Sequence, residues 1–489
     1  MSTSSPQKRM KQTRILLVLV GASILALALV SGCEKNLGKR LADRPPETGI
    51  FLEGPLDTVR YSVKLYWWGQ DSDGEVIGFY YRWTCADTAI QVDTSWVFTT
   101  ARNRDFILPV PNGFTVQTFW VKAVDNKSLE DPTPARQDFP LRNAMPSIAF
   151  KADALPDTTL PAATFSWTGT DPDGDNSIAY YVVWLDGKEN EPIIVAGQDT
   201  TLGPSYIGDK YGNRTFFVRA VDEANGASAT ISHTWHVITP VGDVLLVDDV
   251  PSTVAAARAT DTFYRSLLDS LEGSGQYTIF DLGNQGRVKS PREVGLILPL
   301  FKQVVWYGDI RNSVSGGLKM GEQGGGIAEF LDHGGKIFLE GVALLGDGGS
   351  LSAGFAAQYL GVDSLRTRYI SPSNPRSTNF DFSNGWVIQG NHSLCLDSLL
   401  TTSILAACEI LYPSAEAEFL YYLPPGTISG QTENYYIGTL VRGGAFSTVC
   451  LTFPIRRCNG FGNARQEVAK VLALLGIGQY HCLSRFGPG

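Results

Sequence analysis

The chain has 489 residues, of which 43% are hydrophobic and 18% are charged, and its formal net charge at pH 7 is -9. This composition excludes a disordered, collagen-like or coiled-coil chain and provides apolar residues for several cores, at about 100–200 residues per domain. An acidic chain without a block of basic residues is also a poor candidate for nucleic-acid binding, because the phosphate backbone attracts positive charge.

The N-terminus has the pattern of an export signal. Residues 1–14 are polar and basic, residues 15–30 form an uncharged apolar run, and the small residues Ser31 and Gly32 precede Cys33. The apolar run is shorter than the about 20 residues that a membrane-spanning helix needs. The pattern therefore predicts a signal peptide over residues 1–32, and the alternative is an uncleaved anchor helix.

The tetrapeptide VSGC at residues 30–33 resembles the lipobox of bacterial lipoproteins. The resemblance implies that the signal is cut before Cys33 and that Cys33 carries acyl chains on its thiol and on its new amino terminus. Two or more acyl chains anchor a protein stably. We therefore expect an exported lipoprotein of the cell membrane or outer membrane, and Glu34 favours the outer membrane by family analogy. Residues 33–48 are charged and contain proline, which predicts a tether.

A repeat of about 100 residues follows the tether. Residues 66–83 (YWWGQDSDGEVIGFYYRW) correspond to residues 165–184 (FSWTGTDPDGDNSIAYYVVW), and residues 119–125 (FWVKAVD) correspond to residues 216–222 (FFVRAVD). Both copies have alternating apolar residues, many aromatic and β-branched residues, and turns marked by Gly, Pro and Asp. We expect two all-β sandwich modules, over residues 49–143 and 144–239.

The two copies resemble fibronectin type III modules, which have an immunoglobulin-like fold. The resemblance is carried by a tryptophan in one strand, a tyrosine in the next, and a late strand of alternating Val and Ala. These aromatic residues are Trp67 and Tyr80 in the first copy and Trp167 and Tyr181 in the second. The chain departs from the family at Phe119 and Phe216, where such modules often have a tyrosine that closes a corner by hydrogen bonding.

Each module places several carboxylates in one loop. They are Asp71 and Asp73 in the first module and Asp171, Asp173 and Asp175 in the second. Alternating oxygen ligands suit calcium, although neither loop continues to the glutamate of an EF-hand. The alternative is that Asp and Gly serve the turn itself, through side-chain caps and positive φ.

Trp68 is predicted to point away from the core of the first module. Its neighbour Trp67 matches Trp167 of the repeat, and successive residues of a strand face opposite sides. An exposed tryptophan can stack on a sugar or a partner. It can equally lie under a loop or against the next domain.

Residues 240–478 have a different pattern, in which short apolar segments alternate with helical ones. The predicted strands are 242–249, 277–282, 304–309, 336–341, 435–441 and 447–453, and the predicted helices lie near 257–272, 291–300, 324–333, 352–360 and 463–475. Alternating strands and helices predict a doubly wound, flavodoxin-like α/β domain. Residues 362–433 are less regular and predict an insertion, and residues 479–489 form a tail.

The order of VLLVDD, VVWYGD and KIFLEG resembles the class I glutamine-amidotransferase-like fold, especially variants in exported bacterial proteins. In the catalytic family a Cys follows the strand corresponding to KIFLEG, and a His lies near a late strand. Residues 340–342 (Glu-Gly-Val) and 452–455 (Thr-Phe-Pro-Ile) occupy these places. The resemblance therefore implies an amidotransferase-like domain without its catalytic Cys and His, and no catalytic residue is assigned.

Acidic residues lie at the ends of the predicted strands. Asp248 and Asp249 end the first strand, Asp309 ends the third, and Glu340 lies at the end of the next. The carboxyl ends of strands border the ligand crevice in open α/β sheets. These carboxylates can hold Mg²⁺ or Ca²⁺, or act as acid and base. The alternative is that they cap the following helices.

Six cysteines besides Cys33 remain: Cys85, Cys395, Cys408, Cys450, Cys458 and Cys482. Export permits disulfides, but six thiols allow 15 pairings and the sequence does not choose among them. Because Cys85 is the single cysteine of its module, we expect it to be a buried free thiol.

The leading hypothesis is a lipid-anchored, non-catalytic envelope protein whose β modules and amidotransferase-like domain bind an unidentified protein or glycan. The second is a surface hydrolase, directed at polysaccharide, that uses the acidic crevice of the α/β domain. The third is a structural subunit of an envelope assembly. The predicted partners include the membrane, through the lipid, and exclude nucleic acid. No cofactor is predicted apart from the divalent cation considered above.

Overall fold

A computed structural model describes residues 42–52, 59–152, 155–250, 257–282, 290–311, 320–342, 344–345, 351–365, 379–382, 385–402, 405–428, 430–458 and 460–478. The predicted signal peptide, Cys33 and the predicted tail lie outside these residues. The described residues divide into two compact units, one of residues up to 110 with 114–142 and the other of residues 111–113 with those from 143 onward. Within the described residues, no helix is long and apolar enough to cross a bilayer.

The first unit is a β-sandwich. Its strands are β1 (Glu47–Phe51), β2 (Val59–Arg60), β3 (Ser62–Gln70), β4 (Val76–Cys85), β5 (Val97–Thr99), β6 (Asn103–Ile107), β7 (Phe114–Asp125) and β8 (Ala135–Arg142). One sheet has the strand order β1-β3-β6 and the other β2-β8-β7-β4-β5. The β2–β8 pair is parallel and the other pairs are antiparallel.

Alternation of inward and outward side chains builds the core of this sandwich. In β3, Val63, Leu65 and Trp67 are buried, while Trp68 is 48% exposed. The Trp67 ring contacts Tyr81, at 6.0 Å between ring centroids, and Phe119, at 5.6 Å. Aromatic pairs of this kind stabilise by about 0.5–1.5 kcal/mol beyond the area that they bury.

The structure corrects one correspondence between the two repeats. Tyr81 contacts Trp67 in the first sandwich as Tyr181 contacts Trp167 in the second, and both tyrosines are buried. The counterpart of Tyr181 is therefore Tyr81, and Tyr80 lies on the outer face of the sheet. The sequence comparison missed this because the adjacent residues are both tyrosine.

The second sandwich repeats the first strand for strand. Its elements are β9 (Ser147–Phe150), β10 (Thr158–Thr159), β11 (Ala163–Thr170), the 3₁₀ turn Asp175–Ser177, β12 (Ile178–Leu185), β13 (Ile193–Val195), β14 (Asp199–Leu202), α1 (Pro204–Ile207), β15 (Gly212–Asp222) and β16 (Ile231–Val237). The sheets have the orders β14-β11-β9 and β10-β16-β15-β12-β13, and β10 and β16 are parallel as β2 and β8 are. The predicted β-sandwich modules are thus confirmed.

The remaining described residues form a region with a large mixed sheet, helices on both of its faces, and a separate two-stranded sheet of residues 379–382 and 405–409. Its first elements are β17 (Val244–Asp248), α2 (Ala257–Leu271), β18 (Thr278–Asp281), α3 (Pro291–Ile297), the 3₁₀ turn Leu298–Leu300, β19 (Gln303–Arg311), α4 (Met320–Asp332), β20 (Lys336–Val342) and α5 (Ala353–Tyr359). The later elements are β21 (Val362–Leu365), β22 (Asn379–Phe382), β23 (Val387–Gly390), the 3₁₀ turn His392–Leu394, β24 (Leu399–Leu400), β25 (Leu405–Glu409), β26 (Leu411–Pro413), β27 (Ala417–Leu423), β28 (Tyr435–Arg442), β29 (Ser447–Leu451), the 3₁₀ turn Ile455–Arg457 and α6 (Gly460–Leu474).

The sheet order is β18-β17-β19-β20-β29-β28-β27-β23-β24, and the first five strands run parallel. β17 is buried along its whole length, as expected for a parallel strand covered on both faces. Val244 and Leu246 pack with α2 and α6, whereas Leu245 and Val247 pack with α3, α4 and α5. The carboxyl ends of β17, β19 and β20 therefore lie side by side at one edge of the sheet.

The second sandwich shares a core with this sheet. Leu160 and Ala162, which precede β11, are fully buried in the same cluster as Leu245 and Val247 of β17. The two parts consequently belong to one compact unit.

Several boundaries differ from those expected. β1 begins at Glu47 because Thr48 pairs with Gly69 of β3 and accepts a hydrogen bond from the Ala123 amide at 2.8 Å, so the end of the predicted tether belongs to the first sandwich. β19 continues to Arg311, which places Asp309 inside the strand. Within the predicted insertion, β23, β24, β26 and β27 pair with the large sheet.

Candidate functional site

Asp248 and Asp249, two of the four acidic residues predicted to share a site, lie on different faces of the sheet. Asp248 and Asp249 are consecutive, so their side chains point to opposite faces. The Asp249 carboxylate accepts a hydrogen bond from the Trp306 indole at 3.2 Å. The Asp309 side chain lies outside the described part of the structure. Among the described residues, no group of three or more His, Cys, Asp or Glu side chains is arranged to hold a metal ion.

Asp248 has a different partner, Asp261 of α2. The Asp261 carboxyl group lies beside that of Asp248, and the Tyr307 hydroxyl donates to Asp261 Oδ1 at 3.2 Å. Arg265, one helical turn after Asp261, donates from Nε to the same oxygen at 2.5 Å. The Val250 amide donates to Asp248 Oδ1 at 3.2 Å. The result is a compact polar group at the carboxyl end of β17.

The environment of this group favours the protonated form of Asp248. Burial raises the pKa of Asp248 to about 7, and the neighbouring Asp261 carboxylate adds to the rise. Asp248 is 3% exposed, so its charge is poorly solvated. Burial and the two carboxylates likewise raise the pKa of Tyr307. Near neutral pH the pair therefore holds a proton that it can give up, which is the property required for acid–base chemistry.

Glu340 lies beside this group but serves the fold. It is fully buried, accepts a hydrogen bond from the Tyr264 hydroxyl at 2.6 Å, and accepts another from the Ile455 amide at 3.2 Å. The Tyr264 ring stacks on Tyr307 with 4.2 Å between centroids. Burial, reinforced by the Glu340 charge, raises the pKa of Tyr264. Glu340 thus connects β20, α2 and the turn before α6.

The turn after β20 is held by another carboxylate, Glu409 of β25. The amides of Leu344 and Leu345 donate to its two carboxylate oxygens at 2.9 Å and 2.8 Å. Glu409 is fully buried. Adjacent backbone amides form an anion-binding cradle, and here a side chain of the protein itself occupies it.

The described cysteines near this edge are unsuited to nucleophilic attack. Cys450 and Cys458 are fully buried free thiols, and burial raises the pKa of both, so the thiolate is disfavoured. Cys408 is also buried and forms no disulfide. Cys395 is disulfide-bonded. Cys85 is free as expected, but it is partly exposed rather than buried.

The carboxylates of the sandwich loops bind backbone amides. Asp71 accepts from the Asp73 amide at 3.0 Å, and Asp171 accepts from the Asp173 amide at 2.8 Å. Asp175 accepts from the Asp171 amide at 3.1 Å. These bonds are those of the turn-stabilising alternative. Calcium binding by the loops stays a prediction.

Trp68 lies across a glycine on the outer face of the first sandwich. A Cβ atom added to Gly49 would lie 2.4 Å from the Trp68 ring, so the ring covers the β1 backbone. Its stacking on a ligand stays a prediction.

Sequence reasoning identified Asp248 but missed Asp261, Tyr307 and Glu409. A signal existed for Asp261, since Asp261 and Arg265 have the spacing of an ion pair on one helix face directly after the first strand. Tyr307 lies two residues before Asp309 in an apolar strand, where an aromatic residue is expected to belong to the hydrophobic core. No pattern in the neighbouring sequence indicates the role of Glu409.

No protein-family model matches the sequence, and no curated protein matches it. Among solved structures, the chain is similar to the fibronectin(III)-like modules of Clostridium thermocellum CbhA, at 16% identity over 40% of this chain and 95% of that one, with a TM-score of 0.20. It is also similar to the PKD1 domain of Vibrio anguillarum Epp (12% identity, 20% and 96% covered, TM-score 0.15) and to the chicken CNTN1 FN1–FN3 domains (13% identity, 43% and 70% covered, TM-score 0.18). The sandwich architecture itself follows from the strand pairing described above.

Proposed function

We propose that this chain is a lipid-anchored protein of the cell envelope that binds a ligand and does not catalyse amidotransfer. Its β-sandwiches are fibronectin type III-like, and its large sheet with helices on both faces is a doubly wound, amidotransferase-like domain that has lost its nucleophile. The ligand site of that domain is the edge formed by the carboxyl ends of β17, β19 and β20.

The observation that carries this proposal is the turn after β20. The resemblance implies a catalytic cysteine there, and acyl transfer by such a nucleophile needs hydrogen-bond donors for its anionic intermediate. In this chain Glu340 is committed to Tyr264 and Ile455, and Glu409 binds the amides of Leu344 and Leu345. A buried carboxylate at such a place excludes an oxyanion by occupancy and by charge.

Export is supported by the cysteines. A disulfide at Cys395 suits an oxidising compartment outside the cytosol. The lipobox at residues 30–33 supplies the acceptor for the anchor, Cys33.

Fatty-acid labelling and cell fractionation test the anchor. In a bacterial host we expect the wild-type chain to incorporate a labelled fatty acid and to sediment with membranes, whereas Cys33→Ala loses the label. Cys85→Ala is the matched control because Cys85 is a free thiol within the first sandwich. Equal labelling of Cys33→Ala and wild type would refute anchoring at Cys33.

A glutaminase assay tests the loss of amidotransfer. The purified protein should release no ammonia from glutamine above the buffer rate. Release that tracks the protein through purification and is abolished in Glu340→Gln would contradict the proposal.

The Asp248–Asp261 pair favours a second candidate, a surface hydrolase. A carboxyl pair with one raised pKa holds a proton that it can donate near neutral pH, which acid–base hydrolysis requires. A screen on polysaccharides should then give a rate that falls at least about 100-fold in Asp248→Asn and in Asp261→Asn. Asp243→Asn is the control, because Asp243 pairs with Lys302 at the opposite end of β17. If no acidic or neutral polysaccharide is hydrolysed between pH 5 and 8, the hydrolase candidate fails and ligand binding remains the proposed function.

A further inference from the structure

A cavity opens at one side of the first sandwich, where β4 loses its outer neighbour. The last β4–β5 pair is Tyr81 with Val97, and beyond it the edge of β4 at residues 81–83 faces the loop 86–96 and strand β6. The cavity has a volume of about 430 Å³. That is within the usual range of pockets for small molecules, about 300–1,000 Å³.

The polar groups of the cavity are mostly donors. Arg82 and Arg104 both line it, and no carboxylate among the described residues forms an ion pair with either guanidinium. Arg104 donates to the Tyr81 hydroxyl, which leaves the proton of that hydroxyl for another acceptor. The Trp83 indole N–H belongs to the same wall, is buried, and has no acceptor within the described part of the chain. Among the described residues, Arg82 Nε and the Trp83 indole N–H therefore have no acceptor, and buried donors without acceptors are costly.

Two other ring-stacked cations of the same sandwich, Lys122 and Arg136, each have a carboxylate partner, which the arginines of this cavity lack among the described residues. Lys122 lies 4.6 Å from the Trp96 ring centre and is paired with Glu130. Arg136 lies 5.2 Å from the Trp120 ring centre and is paired with Asp138. Arg82 stacks on the same Trp96 ring at 4.6 Å, without a carboxylate partner among the described residues.

The remaining lining residues suit the hydroxyl groups of a sugar. Tyr81, Trp83 and Phe106 form the aromatic side of the cavity, where Arg104 already lies over the Tyr81 and Phe106 rings. Gln91, Asp93 and Ser95 line the same cavity from the loop and offer polar groups for hydroxyls. Asp93 is the one acidic lining residue against two arginines, so the lining favours an anion.

We propose that this cavity binds a carboxylated sugar, with the carboxylate on Arg82 and Arg104 and the hydroxyls toward residues 91–95. Planar guanidinium groups bind carboxylates through two parallel hydrogen bonds, which accounts for arginine rather than lysine here. A single-stranded nucleic acid is a poorer fit, because it needs free ring faces and Arg104 lies over the Tyr81 and Phe106 rings.

Calorimetric titration of the whole chain tests the proposal with three probes: glucuronate, a short oligoglucuronide and glucose. We expect saturable binding of the carboxylated probes and none of glucose. Arg104→Gln should weaken binding at least tenfold. Arg136→Gln, which changes a ring-stacked arginine outside the cavity, should change it less than twofold. If the oligoglucuronide binds tenfold more tightly than glucuronate, the ligand of the site is a polymer. If the two bind with equal affinity, the ligand is the free sugar acid.

Gln91→Ala provides a second variant that leaves the aromatic core intact, and we expect a threefold to tenfold loss of affinity. The Trp83 indole N–H resonance in a ¹⁵N spectrum should shift on saturation with glucuronate, and that shift should be absent with glucose. The proposal is overturned if no probe binds at 10 mM, if glucose binds as well as glucuronate, or if Arg136→Gln weakens binding as much as Arg104→Gln. Tight binding of a single-stranded oligonucleotide with no response to glucuronate would also overturn it.

Discussion

Gly242 and Gly275 both hold a positive φ, of 70° and 74°, but their surroundings differ. A Cβ atom on Gly242 would lie 1.9 Å from the backbone oxygen of Gln276, whereas a Cβ atom on Gly275 would meet nothing within 4 Å. Both positions disfavour an L side chain, because the left-handed region costs about 1–2 kcal/mol. Only Gly242 adds a steric conflict with the main chain.

We therefore expect Gly242→Ala to lower the free energy of unfolding by about 1–3 kcal/mol more than Gly275→Ala does. Urea denaturation followed by far-UV circular dichroism measures the difference. Equal losses in the two variants would mean that the 242–276 contact is not formed.

Trp67 and Trp68 are adjacent in β3 and should respond very differently to truncation. Trp67→Ala removes a ring that is 2% exposed and should cost about 3–5 kcal/mol, whereas Trp68→Ala, at 48% exposure, should cost about 1 kcal/mol or less. Denaturant unfolding of the two variants checks this. A larger loss of unfolding free energy for Trp68→Ala than for Trp67→Ala would contradict the placement of Trp67 in the core and Trp68 at the surface.

The titration of Asp248 should appear in the pH dependence of stability. Its folded-state pKa, about 7, lies above its ordinary value of 3.8, because of burial first and the Asp261 carboxylate next. Between these values the folded state keeps a proton that the unfolded state releases, so its contribution to stability falls as the pH rises through this window. The groups facing Asp248 are Asp261 and Arg265 of α2, Tyr307 of β19 and the Val250 amide.

Asp248→Asn cannot ionise, so its melting temperature relative to wild type should be higher at pH 8 than at pH 5. Differential scanning calorimetry at the two pH values gives this comparison. Asp243→Asn, which changes an exposed residue of the same region, should give the same difference at both pH values. A pH-independent effect of Asp248→Asn would contradict the raised pKa.

At the scale of elements, the large sheet depends on connections between distant strands. Glu409 of β25 holds the turn after β20 through two amides, and Glu340 of β20 holds the turn before α6 through one. Buried carboxylates of this kind are costly to desolvate and stabilise only while their hydrogen bonds are complete. The edge of the sheet that carries Asp248 is therefore held in position by the buried carboxylates of Glu340 and Glu409.

Glu409→Ala should lower the free energy of unfolding by about 3 kcal/mol or more, because two buried amides lose their acceptor. Glu409→Gln retains one amide oxygen and should lose less. Thermal unfolding ranks the variants. If Glu409→Gln is less stable than Glu409→Ala, the hydrogen bonds between the Glu409 carboxylate and the two amides do not form.

At the scale of the whole molecule, the second sandwich and the large sheet share buried residues and should unfold together. Leu160→Ala removes a fully buried side chain from the core that contains Leu245 and Val247, at an expected cost of about 2–5 kcal/mol. Hydrogen exchange should then show lost protection in β12 and β20 to the same extent. Leu108→Ala in the first unit is the control and should leave β20 protection unchanged. Loss confined to β12 would separate the sandwich from the sheet.

The local pattern predicted a large part of the architecture. Alternating apolar residues placed Trp67 inside and Trp68 outside, and the repeat predicted two sandwiches, whose strand orders are identical. These features depend on neighbours along the chain and on the two-residue period of a strand. The same reasoning located Asp248, because a strand end is visible as the end of an apolar run. It could not decide between Tyr80 and Tyr81, where a shift of one residue exchanges core and surface.

Patterns of adjacent residues are enough to recognise the repeat, the alternation in the sandwiches, the apolar parallel strands and the lipobox from which export is predicted. Which polar groups meet depends instead on how the elements pack. Asp261 reaches Asp248 because α2 packs on the face of the sheet that Asp248 points to, and Glu409 reaches Leu344 and Leu345 across more than sixty residues of chain. Arg82 and Arg104 line one cavity because two sheets bring β4 and β6 together. Contacts of this range depend on sheet register and helix docking, which are properties of the packed core and not of any local segment.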